Sequence, residues 1–326
     1  MTEQLITDRM SDPNHYVLVI GAAGIDMVGR LKDPLSQVTA TVQKPFPANI
    51  RVSIGGVGRN VAENLARLGQ PVRLLTAVGR DSMGEELLNQ TAACGVDITP
   101  CLKSEQFQTA AYLAVFDPEG QRQFSLEDMT ILDEITPAFI RQNKEYITSA
   151  SMVFVDANLP PKALKTVIQT AKKAGVLIFA DATSVLLAER LLPHLDKIYM
   201  LSANTREATV LCQDDPVVTG YETALQAARK LVNQGVELVV ISLAEFGVVY
   251  ATSETSGHIP AVQTRILDPT GAGDALTATL IFGLLNEIPI DESVRLGVTA
   301  ASLILRYRGT VFPGLSLERL YDELVV

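Results

Sequence analysis

Residues 152–181 read MVFVDANLPPKALKTVIQTAKKAGVLIFAD, and this stretch decides the fold class. An apolar run over residues 152–155 is followed by a helical pattern over residues 161–174, which stops at Gly175. A second apolar run, residues 176–180, ends in an aspartate. Because strands that are apolar at nearly every position are buried on both faces, the stretch predicts a parallel strand–helix–strand unit.

The same alternation extends towards both ends of the chain. Further strand-like runs cover residues 16–20, 72–78, 198–201 and 238–242. Further helical patterns cover residues 61–68, 84–94, 222–233, 271–285 and 293–305. Repeated alternation of this kind predicts an α/β fold, in which a mostly parallel central sheet carries helices on both faces.

Two stretches, residues 27–53 and residues 109–125, interrupt this order. Both alternate between apolar and polar positions, and the second turns at Asp-Pro-Glu-Gly, residues 117–120. They predict a small antiparallel sheet, a lid inserted into a single domain of residues 16–326. One face of the lid can close over a ligand and the other can pair with a second copy, so we expect a homodimer formed lid to lid. The candidate interface positions are Val38, Ala40, Val42, Tyr112, Ala114 and Phe116.

Composition limits the classes of function. The chain has 326 residues, a net charge of −10, three cysteines, three histidines and no tryptophan. An acidic chain lacks the basic surface that nucleic acids need, and three unclustered cysteines predict neither a disulfide framework nor a metal site. Residues 1–15 predict a flexible polar leader rather than a signal peptide, and the apolar stretch 278–285 is too short to span a bilayer. We therefore expect a cytoplasmic protein that binds neither nucleic acid nor membrane.

The sequence Leu-Asp-Pro-Thr-Gly-Ala-Gly-Asp-Ala, residues 267–275, is the strongest candidate for chemistry. Its three small residues, Gly271, Ala272 and Gly273, precede a helix, where backbone N–H groups and the helix dipole can bind an anion. Asp274 follows at the helix start, where its carboxylate is stabilised in the ionised form. Taken alone, an aspartate after a glycine turn is more often a simple helix cap.

A second glycine-rich turn, Ser-Ile-Gly-Gly-Val-Gly-Arg-Asn at residues 53–60, precedes another helix. Gly55 and Gly56 allow a ligand to approach the backbone, and Asn60 and Asn64 share one helix face. A turn of this kind without any ligand is the plainer interpretation. The chain contains no GxxxxGK run followed by Ser or Thr, which disfavours a P-loop kinase.

Two further motifs follow strand-like runs. Asn204 and Glu207 are three residues apart and can hold a hydrated Mg²⁺ ion, although the same pair is more often a helix capping box. Residues 242–247, Ser-Leu-Ala-Glu-Phe-Gly, can accommodate nucleotide phosphates at a strand end, or they can form an ordinary hairpin turn.

The two glycine-rich motifs, in this order and about 210 residues apart, resemble the paired signatures of the PfkB (ribokinase-like) carbohydrate kinase family. The run IGGVGRNVAENLARLG, residues 54–69, is similar to the N-terminal signature, and DPTGAGD, residues 268–274, is similar to the C-terminal one. The motif at residues 21–26 and the Asn204 motif also fall where the family has them. The resemblance implies a mostly parallel sheet with helices on both faces and a β-lid, which would be formed by the two interrupting stretches.

The resemblance also implies roles for individual residues. It makes Asp274 the catalytic base, and Gly271, Ala272 and Gly273 the anion hole for the transferred phosphoryl group. The residues it places around the substrate are Asp26, Gly55, Gly56, Asn60 and Asn158. The residues it places around ATP are Asn204, Ser242, Ala244, Gly247, Gly297, Ala300 and Ala301. It assigns Mg²⁺, held through water, to Asn204 and Glu207, and it allows a monovalent cation such as K⁺ at Asp268 and Thr270.

Within the family, Val57 and Arg59 depart from the Gly-Gly-Lys-Gly-Ala-Asn run of sugar kinases such as ribokinase. The run that contains them is similar to the corresponding run of pseudouridine kinases. Asn158 stands where ribokinase-like enzymes tend to carry an acid, which also fits a nucleoside. Gly24 replaces the asparagine usual in the first motif. The resemblance therefore implies ATP-dependent phosphorylation of the 5′-hydroxyl of pseudouridine, with free ribose or a different nucleoside as the alternative.

Two other classes of protein stay open on the residues alone. A strand ending at Gly21 is typical of dinucleotide-binding oxidoreductases, but the glycine spacing does not fit and no ribose-binding acid follows. A sugar-binding protein without catalytic activity can share the same fold, although the intact Asp274 argues against it.

Overall fold

The computed structural model describes residues 15–34 and 45–324. The leader predicted over residues 1–15 lies outside this part of the chain except for its last residue, and so do the predicted lid positions Val38, Ala40 and Val42. The strands are β1 (Val17–Ile20), β2 (Gly24–Leu31), β3 (Ala48–Gly55), β4 (Val72–Leu75), β5 (Ala77–Gly79), β6 (Leu102–Ser104), β7 (Ala111–Phe116), β8 (Arg122–Asp128), β9 (Met152–Asp156), β10 (Leu177–Asp181), β11 (Met200–Asn204), β12 (Leu238–Ser242), β13 (Val248–Ala251) and β14 (Ser256–Ile259).

The helices alternate with these strands along most of the chain. The α-helices are α1 (Val57–Arg67), α2 (Ser82–Ala93), α3 (Pro137–Gln142), α4 (Lys144–Thr148), α5 (Pro161–Lys173), α6 (Thr205–Leu211), α7 (Tyr221–Asn233), α8 (Ala272–Leu285), α9 (Ile290–Leu305) and α10 (Leu317–Asp322). Short 3₁₀ helices cover Thr130–Glu134, Ala188–Lys197 and Ala244–Phe246. None of the helices in the described ranges is long and apolar enough to cross a membrane.

Eight strands form the central sheet, in the order β14-β13-β12-β11-β10-β9-β1-β4. The pairings from β12 to β4 are parallel, whereas β12–β13 and β13–β14 at one edge are antiparallel. The mostly parallel central sheet predicted from the alternation of strands and helices is thus confirmed.

The buried strands divide the core into two halves, one on each face of the sheet. Leu18 and Ile178 belong to one half, which also contains apolar side chains of α5 and α7. Val17 and Phe179 belong to the other half, which also contains those of α1, α8 and α9. Because successive side chains of a strand point to opposite faces, a strand that is apolar at every position needs helices on both sides.

The second sheet has the order β3-β2-β7-β8 and stands beside the central one. Its β2–β7 pairing is parallel, and its other two pairings are antiparallel. We call this four-stranded sheet the lid. It begins at Gly24, three residues before the first predicted lid residue, because the chain already pairs with residue 110 at that point.

Two element boundaries differ from the sequence-based prediction for local reasons. Helix α1 begins at Val57, four residues before the first periodic apolar position, because Gly56, with φ 96°, makes the turn into the helix. The single strand predicted over residues 72–78 is two strands, since the chain passes from the central sheet to the pair β5–β6 at Thr76.

Candidate active site

Four neighbouring strands of the central sheet end in polar residues at the same edge. Asp156 ends β9, Asp181 ends β10, Asn204 ends β11 and Ser242 ends β12. The strand β1 lies between β4 and β9, so the chain continues first to one side of it and later to the other. In parallel sheets this change of direction opens a crevice at the carboxyl ends of the strands, where ligands bind.

Asp274 lies in the first turn of α8, opposite the first turn of α1. Asn60 Nδ2 donates a hydrogen bond of 2.8 Å to Asp274 Oδ2, so the two glycine-rich motifs meet in one place. Burial raises the pKa of Asp274 to about 7, and the charges of Asp156 and Asp26 act in the same direction, whereas the Asn60 hydrogen bond lowers it. The expectation that the helix start stabilises the ionised form was therefore wrong, because burial outweighs the effect of the helix N-terminus. A carboxylate with a pKa near neutrality can accept a proton from a hydroxyl group at physiological pH.

Asp156 is a fully buried acid to which the sequence analysis assigned no role. Its Oδ2 accepts hydrogen bonds from Ala22 N at 2.8 Å and Gly58 N at 3.0 Å, which tie the end of β1 to the start of α1. Burial raises its pKa to about 6, and these backbone hydrogen bonds limit the rise. Its signal in the sequence is an acid placed directly after a buried strand.

Asp181 is a second acid that lies at the end of a buried strand and was not predicted to be a site residue. Burial raises its pKa well above the ordinary value, and the charges of Glu207, Asp274 and Asp156 act in the same direction. Several acids therefore converge where the strands end, in a protein environment that penalises their negative charge.

Gly271 is the N-cap of α8, with φ 83°. A Cβ at this position would lie 2.0 Å from the carbonyl oxygen of Thr310, so the contact and the left-handed backbone both require glycine. Gly273 is exposed, and a Cβ there would meet no atom within 4 Å. Gly271 and Ala272 are partly exposed, so solvent reaches the N-terminus of α8, and its role as an anion hole stays a prediction.

Asp26 on β2 forms the lid side of the site together with the turn at Gly55 and Gly56. A Cβ on Gly55 would lie 2.0 Å from Asp26 Oδ2, so the carboxylate occupies the space that a side chain would need. Burial and the charge of Asp268 raise the pKa of Asp26 to about 6. Gly24, which stands where the family has asparagine, lies close to the residue before β7, since a Cβ there would be 2.7 Å from Ala110 O.

Asn204 and Glu207 form the capping box of α6, the plainer of the two interpretations of their spacing. Glu207 Oε2 accepts a 2.8 Å hydrogen bond from Asn204 N, and Asn204 Oδ1 accepts one from Glu207 N. Burial raises the pKa of Glu207. A hydrated divalent cation would offset the repulsion among Glu207, Asp181 and Asp274, so the residues present fit Mg²⁺ bound through water.

The predicted nucleotide loop is a tight connection between β12 and β13. Ser242 ends β12, Ala244 has φ 51°, and Gly247 has φ 95°. A Cβ on Gly247 would lie 2.1 Å from Ile259 O. The hairpin turn is therefore present at the ligand-binding edge of the sheet, and its contact with ATP stays a prediction.

Two of the three residues predicted to border adenine also pack helices together. A Cβ on Gly297 would lie 2.7 Å from Leu276 Cδ1, and Ala300 is buried in the same half of the core as Leu276. Gly297 and Ala300 thus allow α9 to lie close to α8. Ala301 is partly exposed, and the contact of all three residues with the nucleotide stays a prediction.

Asp268 and Thr270, the predicted monovalent cation site, are engaged by the protein itself. Arg51 on β3 of the lid forms an ion pair with Asp268 Oδ2, and Thr270 N donates to Asp268 Oδ1 at 3.0 Å. Burial alone would raise the pKa of Asp268, but these hydrogen bonds outweigh it and lower the pKa. Since a guanidinium already neutralises the carboxylate, the residues present do not fit a monovalent cation, and we assign none.

Asn158 lies beside Asp156 at the end of β9. Its backbone N–H donates to Asp156 Oδ1 at 3.0 Å, and its carbonyl oxygen accepts a hydrogen bond from Arg190 at 3.0 Å. Its place at the substrate stays a prediction.

The lid has two distinct faces. Asp26 pairs with Tyr112, so Tyr112, Ala114 and Phe116 lie on the face that carries Asp26 and turns towards the site. The dimer candidates on this strand therefore share a face with Asp26, and their part in an interface stays a prediction. The outer face carries exposed apolar side chains, which are Ile50, Val52, Phe124 and Leu126.

The sequence profile of the pfkB family of carbohydrate kinases matches residues 14–316 of this chain. The chain belongs to the pfkB family of carbohydrate kinases. Among curated members, it is similar to the pseudouridine kinase of Escherichia coli strain K12, with 33% identity over 303 residues, which cover 93% of this chain and 94% of that protein.

Solved structures show the same fold for this pfkB chain. A carbohydrate kinase from Agrobacterium tumefaciens superimposes with a TM-score of 0.79 at 26% identity, over 95% of this chain and 97% of that one. The ribokinase of Arabidopsis thaliana, determined with ribose and ATP, superimposes with a TM-score of 0.81 at 22% identity, over 95% and 98% of the two chains. The predicted ribokinase-like fold is confirmed.

Proposed function

We propose that this pfkB kinase transfers the γ-phosphoryl group of ATP to the 5′-hydroxyl of pseudouridine. The observation that carries the proposal is the carboxylate of Asp274, which has a pKa of about 7, accepts a hydrogen bond from Asn60 and lies at a partly exposed helix N-terminus. Membership of the family supports an ATP-dependent sugar or nucleoside kinase. The similarity to a pseudouridine kinase and the run at residues 55–60 support the choice of nucleoside.

In the proposed reaction, Asp274 takes the proton of the substrate hydroxyl. A bond forms between the hydroxyl oxygen and the γ-phosphorus, and the bond from the γ-phosphorus to the bridging oxygen breaks, which releases ADP. The backbone N–H groups at the start of α8 stabilise the negative charge on the transferred group. Mg²⁺, when bound through water by Asn204 and Glu207, would neutralise charge on the phosphates. The lid excludes water, which would otherwise compete for the phosphoryl group.

The test is ATP consumption by the purified protein with pseudouridine, uridine and ribose side by side. Uridine and pseudouridine carry the same ribose and the same ring atoms, but the pseudouridine ring is attached through carbon and presents an additional N–H group. We expect the highest kcat/KM with pseudouridine, and a 5′-monophosphate as the product by mass spectrometry. A higher kcat/KM with ribose or uridine would reject pseudouridine and leave a kinase of another substrate. Binding of all three without any turnover would indicate a non-catalytic sugar-binding protein.

Replacing Asn60 with alanine should raise the KM for the nucleoside. Asn60 is 3% exposed and lies in the first turn of α1. Its amide contacts the carboxylate of Asp274, and the ribose is expected to bind beside it. A lost hydrogen bond to a neutral group is worth about 0.5 to 1.5 kcal/mol, which corresponds to a rise of roughly two- to tenfold. Steady-state kinetics in both substrates provide the internal control, since the KM for ATP should stay unchanged. A raised KM for ATP with an unchanged KM for the nucleoside would place Asn60 at the other end of the site.

We further propose that the protein is a homodimer that buries the outer faces of two lids. Ile50 is 73% exposed, Val52 58% and Leu126 62%, and the register of the lid strands places all three on one face. A contiguous apolar patch on a sheet face favours association, and a two-fold axis would bring the patch against itself.

The doubly charged variant Val52→Glu with Leu126→Glu should be a monomer. Four carboxylates would otherwise be buried in the two-fold interface, and buried unpaired charges are strongly unfavourable. Sedimentation equilibrium at micromolar concentration measures the mass. Leu186→Glu is the matched control, because Leu186 is 86% exposed on the body of the protein. A monomeric parent protein would exclude the dimer, and a variant that stays dimeric would exclude the lid as its interface.

A further inference from the structure

Arg59 is a buried arginine in the first turn of α1, one residue before Asn60. Only 4% of it is exposed. An arginine is rarely buried unless its guanidinium has several partners, so its contacts indicate what it does. The position is also one where this chain departs from the run typical of sugar kinases, which have alanine there.

The guanidinium of Arg59 has three partners. Nε donates to Thr91 Oγ1 at 3.4 Å, and Nη1 donates to Asn60 Oδ1 at 3.3 Å. Nη2 forms an ion pair with Glu63 one turn later in the helix. Glu63 is also paired with Arg67, whose Nε donates to it at 2.8 Å. Arg59 is thus held by Glu63 and Thr91 with one N–H group directed at the Asn60 side chain.

The oxygen of a primary amide accepts hydrogen bonds and its nitrogen donates them, and the two ends of the group have nearly the same shape. Arginine has only donors, so it selects the oxygen of Asn60. The ionised carboxylate of Asp274 has only acceptors, and it accepts a hydrogen bond from Asn60 Nδ2 at 2.8 Å. We propose that Arg59 is a positioning residue, whose guanidinium fixes the Asn60 amide so that Nδ2, and not Oδ1, faces Asp274. The inference rests on the proposed role of Asp274 as the base.

The groups that act on Asp274 come from several elements. Asp26 faces it from the lid and Asp156 from the end of β9, and both raise its pKa, as does burial. Asp181 at the end of β10 is close enough to interact with it as well. The hydrogen bond from Asn60 opposes these effects. The orientation of one amide therefore contributes to the balance between the ionised and the protonated carboxyl group.

Replacing Arg59 with methionine should free the Asn60 amide to rotate. With Oδ1 towards Asp274, the amide would repel the carboxylate and accept a hydrogen bond from the protonated form, so the pKa of Asp274 should rise. Only the ionised base is active, so the rate falls as the pH drops through this pKa, which is about 7 in the parent protein. The acid limb of the kcat profile should move to higher pH by about one to two units, as expected for a lost hydrogen bond to a charged group. At high pH the rate should recover.

The controls separate this role from a structural one. Arg67→Met removes the other guanidinium from Glu63 without touching Asn60, and it should leave the acid limb in place. Arg59→Met combined with Glu63→Gln removes the buried carboxylate together with its Arg59 partner, and it should shift the limb as Arg59→Met does, should the single variant fold poorly. In an Asn60→Ala background, Arg59→Met should produce no additional shift, because Arg59 acts through Asn60.

A readout independent of turnover is the carboxyl resonance of Asp274 in protein labelled with ¹³C-aspartate, assigned by its loss in Asp274→Asn. Its pKa should rise in Arg59→Met and not in Arg67→Met. An unchanged pKa in Arg59→Met, or equal shifts in both variants, would overturn the inference while leaving the proposed function intact. Full activity of Asp274→Asn would reject Asp274 as the base, and the titration would still report on Arg59.

Discussion

Asp274→Asn should lower kcat by about 10² to 10⁴ while the protein stays folded and binds both substrates. The amide has nearly the same shape as the carboxylate and still accepts the hydrogen bond from Asn60, but it cannot take a proton from the substrate hydroxyl. Stability should not fall, because the substitution removes a charge that burial and the charges of Asp156 and Asp26 disfavour. Steady-state kinetics and urea unfolding of the same preparations measure the two effects.

The matched control for this variant is Asp133→Asn, since Asp133 is an exposed aspartate outside the candidate site. Its kcat and its unfolding curve should match those of the parent protein. Near-normal kcat in Asp274→Asn would remove Asp274 from the mechanism. A large loss of stability in that variant would instead mean that the carboxylate has a structural role.

Gly271→Ala should destabilise the protein by roughly 2 to 5 kcal/mol and strongly reduce turnover. The backbone at Gly271 has φ 83°, which costs an L-residue about 1 to 2 kcal/mol. The added Cβ would also lie 2.0 Å from Thr310 O, so the loop or the start of α8 must move. Either shift displaces the N–H groups that are proposed to bind the transferred phosphoryl group, and it moves Asp274 as well.

Gly69→Ala isolates the backbone contribution to this effect. Gly69 has φ 86°, and a Cβ there would meet no atom within 4 Å, so this variant carries the conformational strain without the collision. It should lose about 1 to 2 kcal/mol and keep its kcat. Urea denaturation of the two variants compares them directly. Equal destabilisation would show that the contact with Thr310 relaxes at no cost, and that Gly271 is needed only for its φ.

Much of the fold could be predicted because its strands are short apolar runs and its helices have one apolar face. Residues 152–155 and residues 176–180 are apolar on both faces, which only a sheet covered on two sides can accommodate. The boundary at Thr76 could not be predicted in this way, because residues 72–78 form one mostly apolar run although they belong to two sheets. The pattern of apolar residues indicates that a strand is buried, but it does not indicate with which sheet the strand pairs.

The candidate site was partly visible for a different reason. Gly55, Gly56 and Gly271 stand in glycine-rich turns because neighbouring atoms leave no room for a Cβ, and such turns are recognisable in a sequence. Asp156 and Asp181 gave a weaker signal, since a single acid after a strand is common. Gly297 is ambiguous in the sequence, because a small residue on a helix can serve packing as well as a ligand.

The sequence by itself determined the family through its two glycine-rich signatures and the parallel sheet through its apolar runs, and it placed Asn60 and Asp274 beside glycine-rich turns, because each depends on a local pattern of residues. Only the tertiary structure decided how these parts act on one another. It paired Arg51 with Asp268, where a cation was expected, and it turned Tyr112 towards the site. It also connected Arg59 to Asp274 through one amide. The ion pair and the Asn60–Asp274 contact join residues more than 200 positions apart, and no local pattern contains the distance or the burial that sets their energies.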